Sequence, residues 1–206
     1  MNAKFQRCSS AICILVFAAS PSLGDETSDT IKKADALYNQ GRLGKAYTEL
    51  ENAAASIARQ LEGRFAKTFP APPKGWAARP ARSPVSGKRK LGYGIRLHRN
   101  YSKTESRGVV KTQLIVDDQS LIVRMARYRS NPKSLARQNY RRISAPGGGD
   151  AFIRFHKGRK VGDAFVLIAD RIYISIFAQR VDDPAIMTTL LSQWDYARLK
   201  KLADLK

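Results

Sequence analysis

The chain has 206 residues and carries 37 Lys and Arg against 17 Asp and Glu, a formal net charge of +20. That length suits one domain with a sizeable core and an appendage, and so large a cationic excess points to an anionic partner rather than to a mechanism. The two cysteines, Cys8 and Cys13, both lie in the first two dozen residues, which excludes thiolate metal sites, disulfide frameworks and cysteine nucleophiles from everything that follows.

Lys4 and Arg7 precede the apolar run Ala11 to Ala19, and Pro21 and small residues follow it. A basic start, a short apolar stretch and a small-residue end make a secretory signal. The run is shorter than the ~20 apolar residues a membrane-spanning helix requires. Cleavage is expected after Gly24, with Ser22 and Gly24 as the small residues, so the mature chain would begin at Asp25. Removing Lys4 and Arg7 and no acids takes the charge from +20 to +18. Neither cysteine follows a Leu-x-small pattern at the end of the apolar run, as a lipoprotein signal would require. The expectation is a soluble periplasmic protein with no transmembrane segment in its mature part, working where no cytosolic nucleotide pool reaches.

Residues 25–70 read as a helical hairpin. Ser28 or Asp29 can cap its first helix, whose apolar stripe is Ile31, Ala34, Leu37 and Tyr38. Gly41-Arg42-Leu43-Gly44 breaks the helix. In the second, Tyr47, Leu50, Ala54, Ile57, Ala58, Leu61 and Phe65 recur at steps of three and four, giving one greasy face up to about Thr68. Pro70, Pro72 and Pro73 stop it. Residues 71–91 form a Pro-rich basic connector without an acid, in which Trp76 anchors the entry to the next domain.

From residue 92 the period changes to two. Tyr93, Ile95 and Leu97 alternate with polar residues in one strand, and Val109 to Val116 form a second that leaves through Asp117-Asp118. Gln119 to Ser130 reads as a helix ended by Asn131-Pro132, with Leu121, Ile122, Met125 and Tyr128 on one arc and Arg124 and Arg127 pointing away. Two hairpins follow, one turning at Pro146-Gly147-Gly148-Gly149 and one at Asp170. Asp182 or Asp183 then caps a helix with Pro184 in its first turn, and a short helix spans Tyr196 to Leu205. The order predicts an α+β fold: an antiparallel sheet over residues 92–206 with helices on one face, preceded by the helical hairpin.

Two resemblances rest on these residues. Leu37-Tyr38, Gly41, Leu43, Ala46, Leu50 and Ala53 look like one tetratricopeptide hairpin. A single copy cannot make a solenoid, which favours packing on the following domain or pairing of two chains over a peptide-binding groove. The element order of the sheet domain, entered through Pro72-Pro73-Lys74-Gly75-Trp76, is similar to the PsbP-like fold and to exported bacterial proteins that join a helical hairpin to such a sheet. PsbP-like domains mostly act as binding or assembly factors, and the resemblance implies an adaptor role.

Catalytic chemistry finds little purchase in the sequence. Beyond the signal the titratable metal ligands of the nitrogen type are His98 and His156, without metal-site spacing, so no metal or other cofactor is expected. No nucleophile elbow is present, and Ser175 sits in an apolar strand as a structural residue. Asp117-Asp118 and Asp182-Asp183 stand at element ends, where Asp serves as a cap or turn former. Gly147-Gly148-Gly149-Asp150 lacks the Lys-Ser/Thr and helix of a phosphate loop. What remains is an acid-free run of Arg124, Arg127, Arg129, Lys133, Arg137, Arg141 and Arg142, interleaved with Tyr128 and Tyr140, and the Lys88-Arg89-Lys90 triplet. Guanidinium groups fork onto phosphate or carboxylate oxygens, and tyrosines stack or hydrogen-bond. Some of these arginines are alternatively expected to pair with Glu49, Glu51 and Glu62. The expected function is a non-enzymatic adaptor for an anionic envelope lipid, a polysaccharide or an acidic protein, with nucleic acid as the alternative partner and a homodimer through the hairpin as a further possibility.

Overall fold

The computed structural model of the protein describes residues 23–84, 94–145 and 149–205. The chain opens with two antiparallel helices, α1 (Leu23–Asn39) and α2 (Leu43–Ala66), turned at Gly41, whose φ of +71° suits a residue without a Cβ. Helix α1 begins before Ser28 and Asp29, so neither caps it; Thr27 is already inside, its hydroxyl 2.7 Å from that of Ser56. Thr68 closes α2 by donating its hydroxyl to the Phe65 carbonyl at 2.7 Å.

Among the described residues seven strands follow: β1 (Trp76–Ala78), β2 (Ile95–Lys103), β3 (Val109–Val116), β4 (Arg141–Ala145), β5 (Gly149–His156), β6 (Val161–Ile168) and β7 (Ile172–Gln179). They form one antiparallel sheet in the order β1-β2-β3-β7-β6-β5-β4. Within the Pro-rich stretch, β1 pairs with β2, and Arg82 exchanges backbone hydrogen bonds with His98 at 2.8 and 2.9 Å. Arg99 and the Tyr101 hydroxyl both donate to the Pro70 carbonyl, at 3.0 and 2.8 Å, tying the end of α2 to the sheet edge.

Register places Leu97, Leu114, Ile174, Val166, Ala151 and Ile143 in one row across the sheet. This is the core face. It is covered by Phe65 from α2 and by α5 (Ala185–Ser192) and α6 (Tyr196–Leu202), through Ile186, Met187, Leu190, Leu191, Trp194 and Leu199. Asp183 accepts the Ala185 amide at 2.8 Å beside Pro184, as a first-turn cap. Gly94 lies so close to β3 that a Cβ there would collide with the Val116 carbonyl oxygen.

The α+β class and the leading helical pair agree with the sequence reading, but the helices do not share one face. α3 (Gln119–Arg129) and a helix absent from that reading, α4 (Pro132–Arg137), lie on the opposite face, over β5, β6 and β7. The physical reason is that Ile115, Phe152, Phe165 and Leu167 point to that second face and are all buried. An apolar patch on both sides of a sheet requires two covers. The hairpin adds what that reading left open. The expected greasy face of α2 is not its seam with α1, which is lined by Ala46 and Ala53 against Ala34 and Leu37; Leu43, Tyr47, Leu50 and Ile57 stay exposed.

Candidate functional site

The basic run falls on the α3 face, and the way it is held begins at Asp118. This residue is 5 % exposed and caps α3, accepting the Leu121 amide at 3.1 Å, the Ser120 hydroxyl at 2.9 Å and Arg96 Nε at 2.8 Å. Burial alone would raise its carboxyl; the Arg96 guanidinium, the Leu121 amide and Ser120 outweigh that and hold it below the ordinary carboxylate value. Its neighbour Asp117, at φ +58°, takes Arg171 Nε and Nη2 at 2.6 and 2.8 Å, while Arg171 Nη1 donates to the Ala203 carbonyl at 2.7 Å. The paired carboxylates therefore serve as cap and clasp, as their position at an element end predicts.

α4 starts where Asn131 accepts the Ser134 amide at 3.0 Å with Pro132 at its first turn, and Asn139, at φ +61°, reverses the chain into β4. Beneath the two helices is an aromatic bed. Phe152 and Phe165 stack at 5.2 Å, Tyr140 meets Phe165 edge-on at 5.5 Å, and Tyr128 meets Tyr140 edge-on at 6.2 Å. Asp163 accepts the Tyr140 hydroxyl on one oxygen and Arg154 Nε at 2.5 Å on the other, and the Arg154 guanidinium lies 4.7 Å from the Tyr140 ring centre. Burial, and then the bond to Asp163, push the Tyr140 phenol far above its ordinary value; burial does the same to Tyr128 and Tyr173 more mildly. The phenols stay neutral, and that of Tyr140 donates to Asp163.

Above this bed the cations face solvent. Arg124, Arg127, Lys133, Arg137, Arg141 and Arg142 are all exposed. Arg142 pairs with Asp150 at 2.6 Å and Arg129 with Asp170 at 3.0 Å. Among the described residues Arg124, Arg127, Lys133, Arg137 and Arg141 make no ion pair, while Asp117, Asp118, Asp150, Asp163, Asp170 and Asp182 are each committed to one. These acids are thus committed to other cations of the chain, and Arg124, Arg127, Lys133, Arg137 and Arg141 are left without an ion-pair partner among the described residues.

The structure brings Arg124, Arg127, Tyr128, Arg137, Tyr140 and Arg142 to the α3 face and separates Arg141, which alternates to the other side of the edge strand β4. Tyr128 and Tyr140 turn inward rather than standing among the arginines. Lys88, Arg89 and Lys90 lie outside the described residues. Two of the hairpin carboxylates expected to reach these arginines are engaged elsewhere: Glu49 pairs with Lys33 at 2.6 Å and Glu51 accepts the Tyr47 hydroxyl at 2.9 Å. His98 and His156 share the α3 face of the sheet but sit on β2 and β5, with three strands between them. Among the described residues no group of three or more His, Cys, Asp or Glu converges, and no helix is long and apolar enough to cross a membrane. The residues that sequence reasoning missed are Arg154 and Asp163 as partners. They stand directly opposite each other in the β5–β6 register, a signal readable only once that hairpin is aligned.

Comparison with protein-family models, curated proteins and solved structures gives no match for this chain. The geometry defines an α+β protein whose antiparallel sheet carries a helical cover on each face and a helical pair at its N-terminal end.

Proposed function

We propose that this is a non-catalytic binding protein of the periplasm, exported by its N-terminal signal, which uses the α3–α4 face to contact an anionic envelope component or an acidic partner protein. The observation that carries the reading is the set of exposed, unpaired cations, Arg124, Arg127, Lys133 and Arg137, mounted on helices pinned by Asp118, Asn131 and the aromatic bed. Guanidinium groups on anchored helices and without an internal counter-ion gain most from an external phosphate or carboxylate. The PsbP-like order of elements supports an adaptor rather than an enzyme. The nucleic-acid alternative draws less support, because stacking platforms for bases need exposed aromatic faces, and Tyr128 and Tyr140 are packed against Phe165.

The test is binding of the purified protein to anionic vesicles and to an anionic polysaccharide across salt. Attraction between exposed charges is screened over about 8–10 Å at physiological ionic strength, so affinity should fall steeply as salt rises. Replacing Arg124, Arg127, Lys133 and Arg137 by Glu should abolish it while the fold is retained. Affinity that ignores both salt and the substitutions would remove the reading. Sequencing the N-terminus of the protein from periplasmic fractions checks the export half, with Asp25 as the expected first residue.

A further inference from the structure

Helix α2 has two apolar sides. One, Ala46 and Ala53, closes the seam with α1, where Lys33 and Glu49 also pair at 2.6 Å. A quarter turn round the helix runs a second stripe, Leu43, Tyr47, Leu50, Ala54, Ile57 and Leu61, and only Leu61 and the following Phe65 pack on the sheet core. Leu43 is 60 % exposed, Tyr47 55 % and Leu50 47 %; on α1 the large exposed apolar residues are Ile31 and Tyr38, the latter at 65 %. In an antiparallel helical pair, residues rotated in the same sense from the seam emerge on the same side. Ile31 and Tyr38 therefore join the α2 stripe in one continuous apolar face. Its lower end opens into a groove of about 300 Å³ between Ala54, Ile57 and Leu61 of α2 and Gly94, Ile95 and Val116 of the sheet.

We propose that a second copy of this chain covers that face, the two hairpins packing about a two-fold axis at Leu50 into a four-helix bundle. A two-fold interface needs a surface that complements itself, so that if residue i meets j, then j meets i. The stripe has this property. With the two α2 helices antiparallel and crossing at Leu50, Leu43 of each faces Ile57 of the other, Tyr47 faces the small Ala54, and Leu50 meets its own copy. Tyr38, beside Leu43 at the hairpin tip, is carried to the end of the second copy where the groove opens.

Area and charge agree. The exposed parts of these side chains amount to roughly 600 Å² per copy, somewhat below the ~800 Å² per partner of a specific interface and at the upper end of the largest patch a monomer usually leaves bare. Between Glu26 and Ala66 six acids (Glu26, Asp29, Asp35, Glu49, Glu51, Glu62) balance six bases (Lys32, Lys33, Arg42, Lys45, Arg59, Arg64). In a chain of charge +20, the hairpin is thus a neutral region where two copies can approach without mutual repulsion. The pairing would also mount two α3–α4 faces on one particle, so that a surface of repeated anionic groups is held at both points.

Sedimentation of the purified protein over a range of concentrations tests this. The expected result is a dimer, and a Leu50→Glu variant that sediments as a monomer with an unchanged circular dichroism spectrum, because two carboxylates then meet on the axis. With Cys8→Ser and Cys13→Ser, a Leu50→Cys variant should cross-link to dimer under mild oxidation, and Val123→Cys on exposed α3 should not. Three results would overturn the proposal: a wild type monomeric at about 100 µM, where mass action favours even weak dimers; a dimer that Leu50→Glu leaves intact; or Leu50→Cys cross-linking no better than Val123→Cys. A monomeric wild type whose vesicle binding is lost in Leu50→Glu would overturn it too, and assign the face to a lipid surface.

Discussion

The two covers of the sheet differ in how they are attached. On the core face, α5 and α6 bury Ile186, Met187, Leu190, Leu191, Trp194, Tyr196 and Leu199, so that little apolar surface is left outside. On the other face, α3 and α4 bury only Ile122 and Leu135 fully, with Met125, Tyr128 and Tyr140 half-buried beneath them, and Val123 outside at 46 % exposure beside arginines. One cover is part of the core. The other is a platform pinned at a few points, and its outward side is free to be chosen for contact rather than for stability. Elements held by few buried contacts open at lower free energy than the global fold.

The largest effect should come from breaking the first cover. Leu190 is fully buried, and Leu190→Ala removes its burial and leaves a cavity, a loss of about 2–5 kcal/mol. Chemical denaturation should show one cooperative transition, shifted to lower denaturant. Leu135→Ala, the matched change in the second cover, should instead expose the amides of α3 and α4 to hydrogen exchange while those of β3 and β7 remain protected. Equal loss of protection across the whole sheet would mean that the two covers are not separable.

A middle effect lies at the point where the platform meets the sheet. Asp118→Asn keeps an oxygen to cap α3 but leaves the half-exposed Arg96 without its anion, a cost of about 1–2 kcal/mol at neutral pH for a part-buried charge-assisted bond screened on one side by solvent. The sign with pH follows from the direction of the shift. The folded carboxyl sits below its unfolded value of about 3.9, so its stabilisation is complete above that pH and disappears as pH falls through the folded value. The stability gap between wild type and Asp118→Asn should stay constant from pH 7 to about 5 and close below pH 4. A gap that persists unchanged at pH 3 would show that the Arg96–Asp118 ion pair does not supply it.

Much of this contrast was legible in the sequence. The period-two alternation of Ile172, Ile174, Ile176 and Ala178 gives the core face directly, and the arc of Ile122, Met125 and Tyr128 gives the buried side of α3. What could not be read is which face of the sheet each helix covers, because that depends on strand order. The sequence neighbours β3 and β4 are separated in the sheet by β7, β6 and β5. The chain leaves β3 at one place and re-enters at the far edge, and α3–α4 is the crossing. The aromatic bed is invisible for the same reason: Tyr140, Phe152, Phe165 and Tyr173 belong to four separate stretches. In the hairpin the greasy stripe of α2 is legible, but not which residues close the seam with α1. A stripe of large apolar residues normally marks the buried seam, yet here small alanines let the two helices approach and the large residues were left for another surface.

The smallest effect is the most selective. Tyr140→Phe keeps the ring against Phe165 and removes only the hydroxyl that donates to Asp163, which still holds Arg154 Nε at 2.5 Å. A single hydrogen bond to a carboxylate that retains another partner contributes about 1 kcal/mol. Because Tyr140 links the return from α4 to the β5–β6 hairpin, the loss should appear as faster exchange of the α4 amides, among them Tyr140's own bond to the Leu135 carbonyl at 3.0 Å. The denaturation midpoint should fall only by what that ~1 kcal/mol implies, well short of the shift in Leu190→Ala. If the platform is what binds, this variant should also weaken anion binding slightly with all its arginines in place, since guanidinium groups on a looser mount pay more entropy to converge on one ligand. Unchanged binding alongside faster exchange would show that the arginines act as independent charges and that the rigidity of the mount contributes nothing.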